Sequence, residues 1–202
     1  GRRMSEYIEG RNAVLEAFRS GRTVDRLYIL DGCQDGPVRT IAREARKKDT
    51  IVTYVPRERL DQLSETKAHQ GVIAQVAAYA YATVEDILAR AEEKGEPPFL
   101  ILLDNVEDPH NLGAVIRTAN LAGAHGVIIP KRRSVGLTAT VAKTSAGALN
   151  YTPVAKVTNL VRTMKDLKEK GIWFACADMG GQSMYQTDLT GPIGLVIGNE
   201  GE

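Results

Sequence analysis

Residues 103–119, LDNVEDPHNLGAVIRTA, read as the end of a buried strand, an acidic turn and the start of a helix. The preceding residues, FLIL at 99–102, are uniformly apolar, as in a strand covered on both faces. Asp108 suits a helix N-cap and Pro109 the first helical position, so Asn111 falls in the first turn among backbone N–H groups that have no intrahelical acceptor. Such a turn suits an anion or a polar ligand. The apolar stripe then runs through Leu112, Val115, Ile116, Ala119 and Ala122. Arg117 lies off that stripe, one turn beyond Gly113, from where it can reach over the strand ends. Taken alone, it reads as a solvated surface arginine.

Working outward, helical and strand patterns alternate. Downstream the pattern predicts a strand at 127–129, helices at 138–145 and 159–170, and strands at 172–177 and 195–197. Trp173 and Phe174 fall in a buried strand pattern and are expected in the core. Upstream it predicts a helix at 12–20, a strand at 24–30, a helix marked by Val38, Ile41, Ala42 and Ala45, a strand at 51–55, a short helix around Leu60 and Leu63, and a strand at 72–79. This is α/β logic with a parallel or mixed sheet. Thr83 and Asp86 form a capping-box pair for a helix that runs to Lys94 and stops at Gly95. Pro97 and Pro98 cannot sit inside a helix or a central strand. The expected organisation is a domain at 1–80, a linker with a helix at 81–98, and a second domain at 99–202.

Composition excludes more than it names. The 202 residues are 43% hydrophobic and 25% charged, ordinary for a globular chain, and 26 basic against 25 acidic residues point to no partner. No apolar run nears the roughly 18 residues a membrane span needs. Gly1-Arg2-Arg3-Met4 has no apolar region behind it, so no signal peptide is expected and the cytoplasm is the expected location. Cys33 and Cys176 are isolated thiols, which with His69, His110 and His125 make a poor metal set. His69 is expected in a structural or RNA-facing role and His125 in a loop. P-loop, GxGxxG, GxSxG and HExxH patterns are all absent.

Charge is uneven along the chain. Residues 1–80 carry 14 basic and 11 acidic side chains, whereas 81–202 carry 12 and 14. Arg43, Arg46, Lys47 and Lys48 close the second predicted helix, where they either complement its dipole or bind phosphate. Lys131, Arg132 and Arg133 follow a strand end and Pro130, on the edge where α/β proteins bind ligands, so phosphate contact is expected there.

Asp108-Pro109, Asn111, Gly113 and Arg117-Thr118 resemble the first motif of the SpoU-type, or TrmH-like, RNA ribose 2′-O-methyltransferases of the SPOUT superfamily. LVIGNEGE at 195–202 resembles the second. SAGA at 145–148, Pro153 and VTNL at 157–160 resemble bacterial members acting on large-subunit ribosomal RNA. YIEGRNAVL at 7–15 and HQGV at 69–72 resemble the RNA-substrate domain of the same subfamily. The resemblance implies a small α/β RNA-substrate-binding domain followed by a SPOUT parallel sheet ending in a trefoil knot. The third motif is expected after Glu202, so the knot is expected to be incomplete within these residues.

The resemblance further implies S-adenosylmethionine as cofactor, contacted near Ala177, Asp178 and Gly198, with Asn111, Arg117 and Glu200 as catalytic residues, RNA as partner, a homodimer, and no metal. It points to a guanosine of 23S rRNA as substrate. The alternatives are a tRNA 2′-O-methyltransferase, or an inactive ribosome-associated RNA-binding protein of the same fold. A guanidinium is effectively always protonated, so Arg117 fits a fixed charge that stabilises the emerging alkoxide better than a general base.

Overall fold

The computed structural model describes residues 6–178 and 191–198. The chain divides into two compact units, Gly1–Ala80 and Tyr81–Glu202.

The first unit is a four-stranded mixed sheet in the order β1 (Tyr7–Glu9), β4 (Val72–Val76), β2 (Val24–Leu30), β3 (Ile51–Val55). Only β2 and β3 run parallel. Alternate residues serve opposite faces. Leu27 and Ile29 pack against Val14 and Phe18 of α1 (Arg11–Arg19) and Ile41 of α2 (Gly36–Lys47), whereas Tyr28 and Ile73 meet Leu60 of α3 (Arg57–Leu63). Strand β3 is an open edge. Strand β4 ends at Val76, three residues before the sequence pattern does, and β1 is too short to show a period.

The second unit is a five-stranded parallel sheet in the order β7 (Val154–Val157), β6 (Gly126–Pro130), β5 (Phe99–Leu103), β9 (Ile193–Gly198), β8 (Trp173–Asp178). Strands β5 and β6 are buried throughout, which explains their unbroken apolar sequences. The chain steps from β5 through β6 to β7, crosses to the far edge at β8, and returns as β9 beside β5. This makes β5 the point where strand order reverses.

Residues 81–98, expected as a linker with a helix, fold with the second unit. Thr83 and Asp86 exchange both capping-box hydrogen bonds at the start of α4 (Val84–Glu93). Ile87 is fully buried in the cluster that also holds Leu100, Ile128 and Leu167 of α7 (Leu160–Glu169). A Cβ on Gly126 would lie 2.6 Å from Ile87, so this glycine lets α4 close on β6.

One side chain departs from expectation. Trp173 is 78% exposed, because β8 is an edge strand and the indole sits at its start; Phe174 is half-buried against the core. His125 is a buried clamp in a bend: its Nδ1 accepts the Phe99 N–H at 2.9 Å, while its carbonyl accepts from Arg90.

Candidate active site

Helix α5 (Pro109–Leu121) begins as its sequence dictates, with Asp108 accepting the His110 N–H at 2.8 Å and Pro109 in the first turn. Asn111 is exposed in that turn. Gly113 is buried where α5 meets α6 (Ala139–Thr144), and any Cβ there would overlap the Thr144 side chain. Arg117 lies one turn further on the same face, exposed and without a hydrogen bond or ion pair among the described residues. Asn111 and Arg117 are six positions apart, about 9 Å along the axis and on different faces. Helical side chains as a class lean toward the helix N-terminus, which in α5 is the end that follows β5.

The acidic turn is tied to the basic loop. Val106 donates its N–H to the Arg133 carbonyl at 2.8 Å, and Val135 returns one to Val106 at 3.0 Å. Arg133 takes a left-handed backbone, φ 65°, with Arg132 and Arg133 exposed at the tip. The Lys131 N–H donates to Val157 at the end of β7. Sequence spacing gave no sign of the Val106–Arg133 link, which joins residues 27 positions apart through backbone alone.

The far side of the same edge is formed by β8 and β9. Their pairing sets Ala177 against Ile197 and Asp178 against Gly198, while Ile197 also pairs with Leu103 of β5. Three positions from two distant stretches thus meet where β5 ends. Among the described residues, a Cβ on Gly198 would meet nothing within 4 Å. Glu200 lies outside the described residues, as does the closing segment of the expected knot. Among the described residues no group of three or more His, Cys, Asp and Glu could hold a metal ion, and no helix is long and apolar enough to cross a membrane.

In the first unit the loop before β4 is braced. The Glu9 carboxylate accepts the N–H groups of Glu65 and Thr66 at 2.9 and 3.1 Å and the hydroxyls of Ser64 and Thr66. Burial raises the pKa of Glu9, but these four hydrogen bonds together outweigh it and hold the carboxyl below its ordinary value. His69 is buried; its Nδ1 accepts the Gly71 N–H, which leaves Nε2 to donate to Asp61 at 2.8 Å. Both ring nitrogens are thus engaged within the fold.

The model of the SpoU rRNA Methylase family matches residues 98–202, and that for RNA 2′-O ribose methyltransferase substrate binding matches 7–82. The chain belongs to the SpoU methylase family. It is 48% identical over 198 residues to YacO of Bacillus subtilis, whose name places it among TrmH family tRNA/rRNA methyltransferases; the match covers 98% of this chain and 79% of YacO. A similarly named Staphylococcus haemolyticus protein is 43% identical, over 96% of this chain and 78% of its own. The solved SpoU methyltransferase AviRb of Streptomyces viridochromogenes, in complex with AdoMet, shares the fold at TM-score 0.50 and 24% identity, over 96% of this chain and 73% of AviRb. As a SpoU member the chain is an RNA methyltransferase, and S-adenosylmethionine is the family's methyl donor. Its two units are those the resemblance implies, a smaller α/β substrate-binding unit before a parallel α/β sheet.

Proposed function

We propose that this SpoU methylase transfers a methyl group to the ribose 2′-hydroxyl of a guanosine in 23S rRNA, working as a cytoplasmic homodimer. The observation that carries the site assignment is the convergence at one sheet edge of the acidic turn, the basic loop bonded to it through Val106, and the ends of β8 and β9. In this reading the backbone at Ala177, Asp178 and Gly198 holds S-adenosylmethionine, whose sulfonium supplies an electrophilic methyl group.

The chain's own residues do the rest. Arg117 carries a fixed positive charge with no ion pair among the described residues, suited to stabilising the alkoxide as the hydroxyl yields its proton to solvent and its oxygen takes the methyl group that leaves the sulfonium. Asn111 offers an amide in the first turn of α5 to orient the ribose. Glu200 orients Arg117 or Asn111. Lys131, Arg132 and Arg133 grip phosphate, with the fork of each arginine able to bind it bidentately. No metal is needed for this chemistry.

The test supplies labelled S-adenosylmethionine with 23S rRNA or with bulk tRNA, and maps alkali-resistant linkages. Label at one 23S guanosine supports the reading. Label confined to tRNA moves the substrate while keeping the enzyme, and no label in either with bound cofactor favours a non-catalytic RNA-binding role.

A further inference from the structure

Helix α2 carries Arg39, Arg43 and Arg46 along one exposed side, at the i, i+4 and i+7 spacing that stacks side chains on a single face. They line a groove of about 290 Å³ whose opposite wall is Tyr54 on the edge strand β3, with Cys33, Gln34, Val38 and Ala42 completing it. Two features separate this groove from an ordinary solvated helix face. Its lining holds three guanidinium groups and no carboxylate, and none of the three makes an ion pair among the described residues. Two acids at and within α2 are engaged elsewhere: Asp35 holds Arg11 at 2.5 Å and Glu44 holds Lys47 at 3.5 Å. Dipole complementation explains a cation in the last turn of α2, but Arg39 lies in the first half of the helix, where a positive charge gains nothing from the dipole.

Tyr54 is the second feature. It is 55% exposed in a strand whose end residues Ile51 and Val55 are buried, so the sheet leaves a large aromatic ring in water beside the arginine row. A row of guanidinium groups next to an open aromatic face is the pairing that takes an unpaired nucleic-acid strand: phosphates on the cations, a base on the ring. A duplex keeps its bases stacked on one another and has no use for the ring.

We propose that the α2–β3 groove of the first unit holds an unpaired stretch of the substrate RNA, with its phosphates on Arg39, Arg43 and Arg46 and one base stacked on Tyr54. This rests on the reading of the chain as an RNA methyltransferase and adds where, and in what form, the substrate is held. Gln34 at the groove's end offers an amide to the edge of the stacked base.

The experiment measures binding of the full chain to a labelled single-stranded RNA, to a duplex of the same length and to polyglutamate, across a salt series, with cofactor binding followed separately. R39A/R43A is expected to bind the single strand at least tenfold more weakly at low salt, with the log–log salt slope reduced by about 1.4, the value for two phosphates on a single strand. K47A/K48A, which removes the same charge outside the groove, should lose less than twofold. Y54A should lose about tenfold while Y54F and Y54W bind as the wild type does, a pattern that a purely structural tyrosine would not give. Cofactor binding should be unchanged in all variants. Wild-type RNA binding with no loss in R39A/R43A and Y54A overturns the groove alone. Loss of polyglutamate binding in R39A/R43A with Y54A silent toward RNA makes the groove a protein-docking surface and also overturns it. A wild-type chain that binds cofactor but no RNA overturns the underlying reading and this inference with it.

Discussion

The Val106 N–H donates to the carbonyl of Arg133 at 2.8 Å, so the acidic turn that starts α5 and the basic loop that follows β6 are joined backbone to backbone. Arg133 reaches that geometry with φ 65°, a region costly for a residue with a Cβ. Substitution can therefore separate charge from shape. R133G relieves the backbone and keeps the link but removes the cation, whereas R132A removes a cation and leaves the backbone alone. Both are expected to weaken RNA binding at low salt and to lower the log–log salt slope by about 0.7 to 0.9 each. R133G should also raise thermal stability slightly, by about 0.5–1 kcal/mol. Unchanged salt slopes in titrations of both variants would remove this loop from the RNA interface.

Gly113 tests the packing beneath the site. A Cβ there overlaps Thr144 and comes 3.0 Å from the Ser145 backbone nitrogen. G113A is expected to destabilise the protein by about 1–3 kcal/mol, as overpacking does. T144A should relieve this only in part, because the Thr144 Cβ and the backbone remain. A melting temperature for G113A equal to that of the wild type would mean that α5 and α6 are further apart than described.

Arg117→Ala is expected to abolish methyl transfer and leave S-adenosylmethionine binding nearly unchanged, since Arg117 stands on α5 and the proposed cofactor contacts stand on β8 and β9. Arg117→Lys should restore little, because a point charge replaces a planar fork. Calorimetry with the cofactor and a single-turnover methylation assay distinguish the two roles. Near-normal turnover in the alanine variant would remove Arg117 from the chemistry.

Much of this site is legible in sequence because its signals are local. Asp108, Pro109, Thr83 and Asp86 fix helix starts through bonds spanning two or three residues, and the run at 99–103 declares burial without reference to any partner. What is not legible depends on distant pairing. Strands β1 and β7, of three and four residues, are too short to show a period, and their partners lie far away in sequence. The return of β9 between β5 and β8 leaves no trace in composition, yet it alone sets Gly198 beside Asp178. Trp173 fails for the same reason: a buried-strand pattern does not say which strand will be the edge. The basic cluster at the end of α2 was half visible, with Arg43 and Arg46 in the groove and Lys47 turned to Glu44, but the contribution of Tyr54 needed the sheet.

Glu9 gives the pH dependence of the first unit. Its carboxyl is held below the ordinary value of 4.5 in the folded chain, burial opposing and the Ser64, Glu65 and Thr66 hydrogen bonds prevailing. A folded-state pKa below the unfolded one means that the stabilisation is fully present above about pH 4.5 and is lost as pH falls through the lower, folded value. Acid should therefore loosen the 64–68 loop before it unfolds the sheet. E9Q retains one acceptor oxygen but loses the charge that strengthens all four bonds, and is expected to cost about 1–2 kcal/mol at neutral pH, the usual worth of hydrogen bonds to a charged group reduced for partial exposure. The same substitution should flatten the acid limb of the stability curve, since the titrating group is gone. Amide exchange at Glu65 and Thr66 between pH 3 and 6 reads the loop directly. Protection in the wild type that does not fall below about pH 4.5, or that is unchanged in E9Q, would show that the brace rests on the backbone and not on the carboxylate.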